Sequence, residues 1–103
     1  MITEAKLKEL KTTRWDLAEE LDNEESIKYF LEAVAEENDP DFMVHAIKEV
    51  ARARGITELA NKMGVSRSSL YKSLSGQTKP QFETICKALN ALGFHFTVTP
   101  NLV

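Results

Sequence analysis

The chain has 103 residues, of which 43% are hydrophobic and 28% charged, and a formal net charge of −3. Because roughly 150 residues per domain is typical, we expect one domain and exclude a large catalytic scaffold such as a complete Rossmann unit or barrel. No apolar run approaches the ~18 residues of a membrane span, and the amino terminus lacks the continuous apolar region of a secretory signal. We therefore expect a cytoplasmic protein that does not bind membranes.

Cysteine and histidine content limits the chemistry open to the chain. Cys86 is the single cysteine, and His45 and His95 are the two histidines. They cannot form an internal disulfide or, by themselves, a set of metal ligands. The serines between positions 66 and 75 lack the Gly-x-Ser-x-Gly pattern of a hydrolase nucleophile. We expect no metal, no cofactor and no enzymatic activity. The alternative to a binding protein is a small hydrolase.

The charge is divided unevenly along the chain. Residues 1–40 hold five Lys and Arg against twelve Asp and Glu, whereas residues 41–103 hold eight against four. From Asp16 to Asp39 ten acids stand against one base, Lys28. Acidic side chains repel a phosphate backbone, so any nucleic acid is expected to bind the second part of the chain.

Composition divides the chain into an arm and one helical domain. Residues 1–13 carry few apolar side chains and are predicted to form a flexible amino-terminal arm. Residues 14–103 are predicted to form a single, mainly α-helical domain with five helices. An acidic helical part spans 14–39, four helices follow within 40–93, and a short β-strand occupies 94–99.

The first two predicted helices have start signals and apolar stripes. Asp22 or Asn23 caps the first, and Asp39 followed by Pro40 begins the second, which ends at Gly55. Apolar residues spaced i, i+3, i+4, i+7 form the two stripes, which are Ile27, Phe30, Leu31 and Val34, then Met43, Ala46, Ile47 and Val50.

Three shorter helices are predicted next. Thr57 is expected to cap one that ends at Gly64, and Ser66 to cap one that ends near Gly76. The last spans about 81–92. Its shared apolar face consists of Phe82, Ile85, Cys86 and Leu89.

The segment FHFTVT at 94–99 alternates between apolar and polar residues. This pattern predicts a β-strand with Phe94, Phe96 and Val98 on one side. A lone strand cannot satisfy its own backbone N–H and C=O groups. It is therefore expected to pair either with the amino-terminal arm or with a second copy of the chain.

The spacing within residues 57–74 is typical of a helix-turn-helix. Ala60 is small where two helices cross closely, and Gly64 supplies the left-handed backbone of the turn. Val65 is expected to bury the turn, and Leu70 to pack the second helix onto the core. This arrangement predicts a DNA-binding element.

The strings LANKMGVSRSSLYKSLSG and KPQFETI resemble the Cro/repressor (XRE) type of helix-turn-helix. Together with the acidic EELDNEESIKYFLEAVAEENDP, the ARARG and the KALNALGFHFTV, the chain resembles HigA-like antidotes of type II toxin–antitoxin modules over residues 14–99. Ile56 departs from the repressor pattern, in which Gln often contacts a phosphate.

This resemblance implies a homodimeric antitoxin that binds double-stranded operator DNA, represses its own operon and neutralises a cognate toxin. The implied toxin is of the RelE type, an mRNA-cleaving ribonuclease. The alternative is a phage-like transcriptional repressor without a toxin partner.

If the second helix lies in the major groove, the face opposite Leu70 meets the DNA. Arg67 can bind guanine bidentately, and Lys72 can meet guanine or phosphate. Residues in the following loop are expected to anchor phosphates, and Tyr71 either packs or contacts a phosphate. The predicted DNA-binding residues are Ser66, Arg67, Ser68, Ser69, Tyr71, Lys72, Thr78 and Lys79.

The acidic part is the predicted toxin-binding region. An RNA-cleaving toxin needs a positive surface for its substrate, which the acids of this part complement. Apolar anchors supply affinity that exposed charge pairs do not. The predicted toxin-binding residues are Trp15, Leu17, Glu20 and Glu24.

Overall fold

The computed structural model describes residues 23–101, and all of its regular structure in this range is helical. The predicted arm at 1–13 lies outside the described residues. The mainly α-helical class is confirmed, and residues 23–101 contain five helices. The helices are α1 (Glu24–Glu36), α2 (Pro40–Arg54), α3 (Ile56–Met63), α4 (Arg67–Ser73) and α5 (Phe82–Ala91).

Helices α1 and α2 begin at the predicted caps and pack against each other. The Asn23 side chain accepts a hydrogen bond from the backbone N–H of Ser26 at 2.8 Å, and the Asp39 carboxylate accepts one from Phe42 at 3.1 Å. These bonds satisfy amides that a helix start leaves without a partner. The buried residues of the two stripes are Ile27, Phe30, Leu31, Val34, Ala46, Ile47 and Val50.

Helix α3 packs against α2, α4 and α5, and it is the helix against which α4 packs most extensively. It begins two residues earlier than predicted, with Gly55 as the N-cap and no side-chain cap, so the prediction that Thr57 caps it is wrong. The reason is that α2 ends and α3 starts at the same glycine, whose φ of 109° lets the chain turn at once. Leu59 and Ala60 are buried at the centre.

The turn from α3 to α4 occupies residues 64–66. Gly64 has a φ of 72°, as predicted for the left-handed end of α3, and the N–H of Val65 donates to the carbonyl of Ala60 at 3.0 Å. The prediction that Val65 buries the turn is wrong, because its side chain is 40% exposed. Instead Leu70 and Leu74, each 1% exposed, fix α4 to the core.

Helix α5 buries Ile85 and Leu89 as predicted, and Cys86 is half-buried. Phe82, predicted on the same buried face, is 71% exposed. It is the first residue of α5 and projects beyond the helices that cover the rest of the stripe. Its ring stacks on that of Phe96, with centroids 5.5 Å apart.

The predicted strand at 94–99 is absent from the structure of residues 23–101. A strand exists only as part of a hydrogen-bonded ladder, and the other described residues are helices, turns and bends. Phe94 is half-buried against the core, whereas Val98 is 97% exposed. The alternating sequence is therefore present without a partner strand in the part of the chain that the structure describes.

The Ser66 cap can be tested by two matched serine-to-alanine substitutions. The Ser66 hydroxyl oxygen accepts a hydrogen bond from the N–H of Ser69 at 3.0 Å, so Ser66→Ala is expected to lower the free energy of unfolding by about 1 kcal/mol. Ser68→Ala, at the second residue of the same helix, is expected to leave the free energy of unfolding unchanged or to raise it slightly. Urea unfolding of both variants checks this; equal losses would contradict the capping role.

Candidate nucleic-acid interface

One face of α4 is fully exposed. Leu70 and Leu74 point into the core, and at about 100° per residue the opposite face carries Ser68 and Lys72. The structure thus brings most of the predicted DNA-binding residues to one surface. Its exposed members on α4 are Arg67, Ser68, Ser69, Tyr71 and Lys72.

The surface around α4 is positively charged. Residues 59–82 contain four basic residues and no acidic residue. Two of the four, Lys62 and Lys79, form ion pairs with acids outside this stretch. Within residues 23–101 Arg67 and Lys72 form no ion pair, so both charges are available to an external anion.

Several hydroxyl groups around α4 are used within the protein. Ser66 caps the helix, and the Ser73 hydroxyl donates to the carbonyl of Ser69 at 3.0 Å. The Ser75 hydroxyl donates to the Lys72 carbonyl at 2.8 Å and accepts from the N–H of Gln77 at 3.3 Å. These bonds close the end of α4 and shape the following loop.

Lys48 of α2 is a residue that the sequence did not indicate. Its Nζ lies 5.5 Å from the centroid of the Tyr71 ring, a cation–π distance. Lys48 precedes the helix-turn-helix spacing pattern, so no sequence rule links it to α4. Tyr71, 44% exposed, therefore contacts a neighbouring helix while its ring remains accessible on the α4 surface.

The loop after α4 carries the remaining predicted phosphate contacts. Thr78 and Lys79 are both exposed, and a cavity of about 400 Å³ separates the loop from α2. The Lys79 Nζ lies 3.5 Å from the Asp41 carboxylate, with side chains 88% and 85% exposed. Water screens such an exposed pair, so an external anion can compete for Lys79 at little cost.

Three of the four predicted toxin-binding residues, Trp15, Leu17 and Glu20, lie outside the described residues. The fourth, Glu24, is 83% exposed, and its Oε1 forms an ion pair with Arg54 Nη2 at 2.8 Å. This pair ties the start of α1 to the end of α2. No group of three potential metal-ligating side chains occurs in the described part of the chain.

Comparison with known proteins identifies the class. Residues 11–100 match a family described as "probable addiction module antidote protein". An uncharacterized protein of Haemophilus influenzae is 38% identical over 84 residues, which cover 82% of this chain and 87% of that protein. No solved structure matches the chain.

The chain therefore belongs to the family of probable addiction module antidote proteins, the antitoxin class of toxin–antitoxin modules. An antidote counteracts a toxin, so membership implies a toxin partner. Among the described residues no helix is long and apolar enough to cross a bilayer.

The exposure of the Lys79–Asp41 pair gives a stability prediction. Asp41→Asn is expected to change the free energy of unfolding by no more than about 0.5 kcal/mol, because screened surface pairs contribute little. Urea unfolding at low and high salt checks this. A loss above about 2 kcal/mol would show that the pair holds the loop against α2.

Proposed function

We propose that this antitoxin is HigA-like, binds the operator of its own operon as a homodimer, represses that operon and neutralises a RelE-type mRNA-cleaving toxin. It acts by binding and not as an enzyme. The observation that carries the DNA-binding part is that Arg67, at the exposed start of α4, and Lys72, on the face opposite Leu70, form no ion pair within the described residues.

In this proposal α3, the turn at 64–66 and α4 act as an XRE-type helix-turn-helix. Arg67, at the start of α4, reads a guanine through its planar, bidentate guanidinium. Lys72, more than one turn later, meets a base edge or a phosphate. The absence of acids from residues 59–82 supports the approach of a phosphate backbone.

The phosphate contacts then lie in the loop that follows α4. Thr78 and Lys79 contact the backbone from the loop, and Lys79 exchanges Asp41 for a phosphate. Two copies would read half-sites about 34 Å apart, one turn of DNA. A dimer is expected because one short recognition helix offers few base contacts.

The toxin-binding part rests on family membership and on the charge of α1. Exposed acids cover the outer face of this helix, and Lys28 is its single base, paired with Glu32 at 3.9 Å. A ribonuclease toxin needs a positive surface for RNA, so the two surfaces are complementary. The exposed acids of α1 are Glu24, Glu25, Glu32 and Glu36.

Arg67 tests the assignment of the recognition face. Arg67→Ala is expected to weaken the free energy of operator binding by about 1–3 kcal/mol per half-site and to relax sequence preference, because a bidentate base contact is lost. Lys28→Ala removes the same charge from α1 and serves as the control, with unchanged operator binding. Lys79→Ala is expected to weaken binding to all DNA sequences alike. It is also expected to reduce the slope of log K against log salt concentration by about one unit.

These variants are compared by titrating the chain's own upstream DNA and a random sequence of equal length at several salt concentrations. Unchanged discrimination between the two DNAs by Arg67→Ala would show that the recognition face is wrong. Absence of operator preference in the unaltered protein would overturn the repressor function and leave the antitoxin function standing.

Deletion of residues 1–21 tests the division between the two activities. The truncated chain keeps α1–α5, so operator binding is expected to persist. It lacks the predicted apolar anchors Trp15 and Leu17, and the exposed acids that remain on α1 supply little affinity by themselves, so toxin neutralisation is expected to be lost. Circular dichroism first confirms that it folds. The toxin used is the product of the neighbouring reading frame, assayed for mRNA cleavage with and without the truncated protein. Full neutralisation by the truncated protein would place the toxin contact elsewhere.

A further inference from the structure

We propose that residues 94–99 of two copies pair as antiparallel strands, and that the surface formed by Phe82, Phe96 and Val98 becomes the centre of the homodimer. This surface is called the carboxyl-terminal patch below. The inference deepens the proposed homodimer, on which it rests, by assigning the interface and its residues.

The backbone N–H and C=O groups of residues 95–99 have no backbone partners within residues 23–101. The N–H of Phe94 donates to the carbonyl of Leu89 at 2.8 Å, and this is the last such bond along the described chain. From His95 to Thr99 no backbone group bonds to another backbone group of residues 23–101. A second strand would satisfy these groups in a ladder.

The side chains of the patch are exposed although they are apolar. Phe82 is 71% exposed, Phe96 40% and Val98 97%. The two rings already stack with an interplanar angle of 27°, so they present one joint apolar surface. Contiguous apolar surface of this kind on a soluble domain is typical of an interface.

A groove of about 500 Å³ continues the patch between α2 and the carboxyl-terminal segment. Val34, Met43 and Pro80 line it together with Phe82 and Phe96. Asn38, Asp39, Asp41 and Lys79 line it as well, so the groove extends the patch as a mixed apolar and polar surface.

The sequence of the segment favours a second copy as the partner. Residues 92–103 contain no Asp, Glu, Lys or Arg, the charges with which proteins protect an unpaired edge strand. The apolar residues Ile2, Leu7 and Leu10 of the amino-terminal arm are five and three residues apart, so the arm does not offer the alternation, two residues apart, that would match this segment. The segment 94–99 matches itself and brings no like charges together.

Two-fold symmetry also preserves the faces of the paired strands. When an antiparallel pair is centred on one residue, each even position lies opposite an even position. Phe94, Phe96 and Val98 of one copy then face the same three positions of the other. His95 and the threonines lie together on the opposite face of the two-stranded sheet.

Val98→Asp tests the interface without disturbing the fold, because this side chain is almost fully exposed in the single chain. The dimer would bury two carboxylates, so its dissociation constant is expected to rise about tenfold or more. Thr99→Asp adds the same charge next to it on the other face and is expected to leave dimerisation unchanged. Thr97→Pro fixes φ near −65° in the middle of the segment, which disfavours the extended backbone of a strand, and provides a second disruptive variant.

The four proteins are compared by analytical ultracentrifugation across micromolar concentrations without DNA, with folding checked by circular dichroism. A wild-type dimer that Val98→Asp and Thr97→Pro weaken and Thr99→Asp does not weaken supports the interface. A wild-type monomer, or a dimer that tolerates Val98→Asp, overturns it. Binding to a DNA with one half-site tests the α4 surface independently of the dimer. Val98→Asp is expected to bind this DNA as the wild type does, and the binding is expected to depend on Arg67.

Discussion

The packing of α3 against three other helices is the constraint on which the rest of the structure depends. Helices of seven or eight residues are not stable in water by themselves, so α3 and α4 persist only through the surface they bury. Ala60, 1% exposed, has a side chain small enough for the close approach of neighbouring helices. Leu70 and Leu74 then hold α4 in a fixed rotation, which decides which side chains face solvent.

Charge is arranged so that the two ends of the described chain present different surfaces. Acids cover the outer face of α1, and residues 59–82 carry basic charge alone. The pairs Glu24–Arg54 and Asp41–Lys79 lie between these regions and are largely exposed. Because water screens these ion pairs, both are weak, and a phosphate or a charged protein can replace one member of either pair.

Local signals in the sequence predicted most of the fold. The caps at Asp39 and Ser66 and the left-handed turn at Gly64 depend on a few neighbouring residues, and all three predictions were correct. Of the two candidates Asp22 and Asn23 for the first cap, the structure has Asn23. The buried stripes of α1 and α2 follow from helical periodicity in the same way. The start of α3 was misplaced because Gly55 serves both as the end of one helix and as the beginning of the next.

The sequence by itself determined the helical class, the helix order and the exposure of the polar residues on α4, because periodicity and capping are local. Only the tertiary structure decided the rest. It left Phe82 and Val65 exposed, since an apolar residue is buried only where another element covers it. It also brought Lys48 onto Tyr71 and left 94–99 without a partner strand among residues 23–101, since both outcomes depend on contacts between distant parts of the chain.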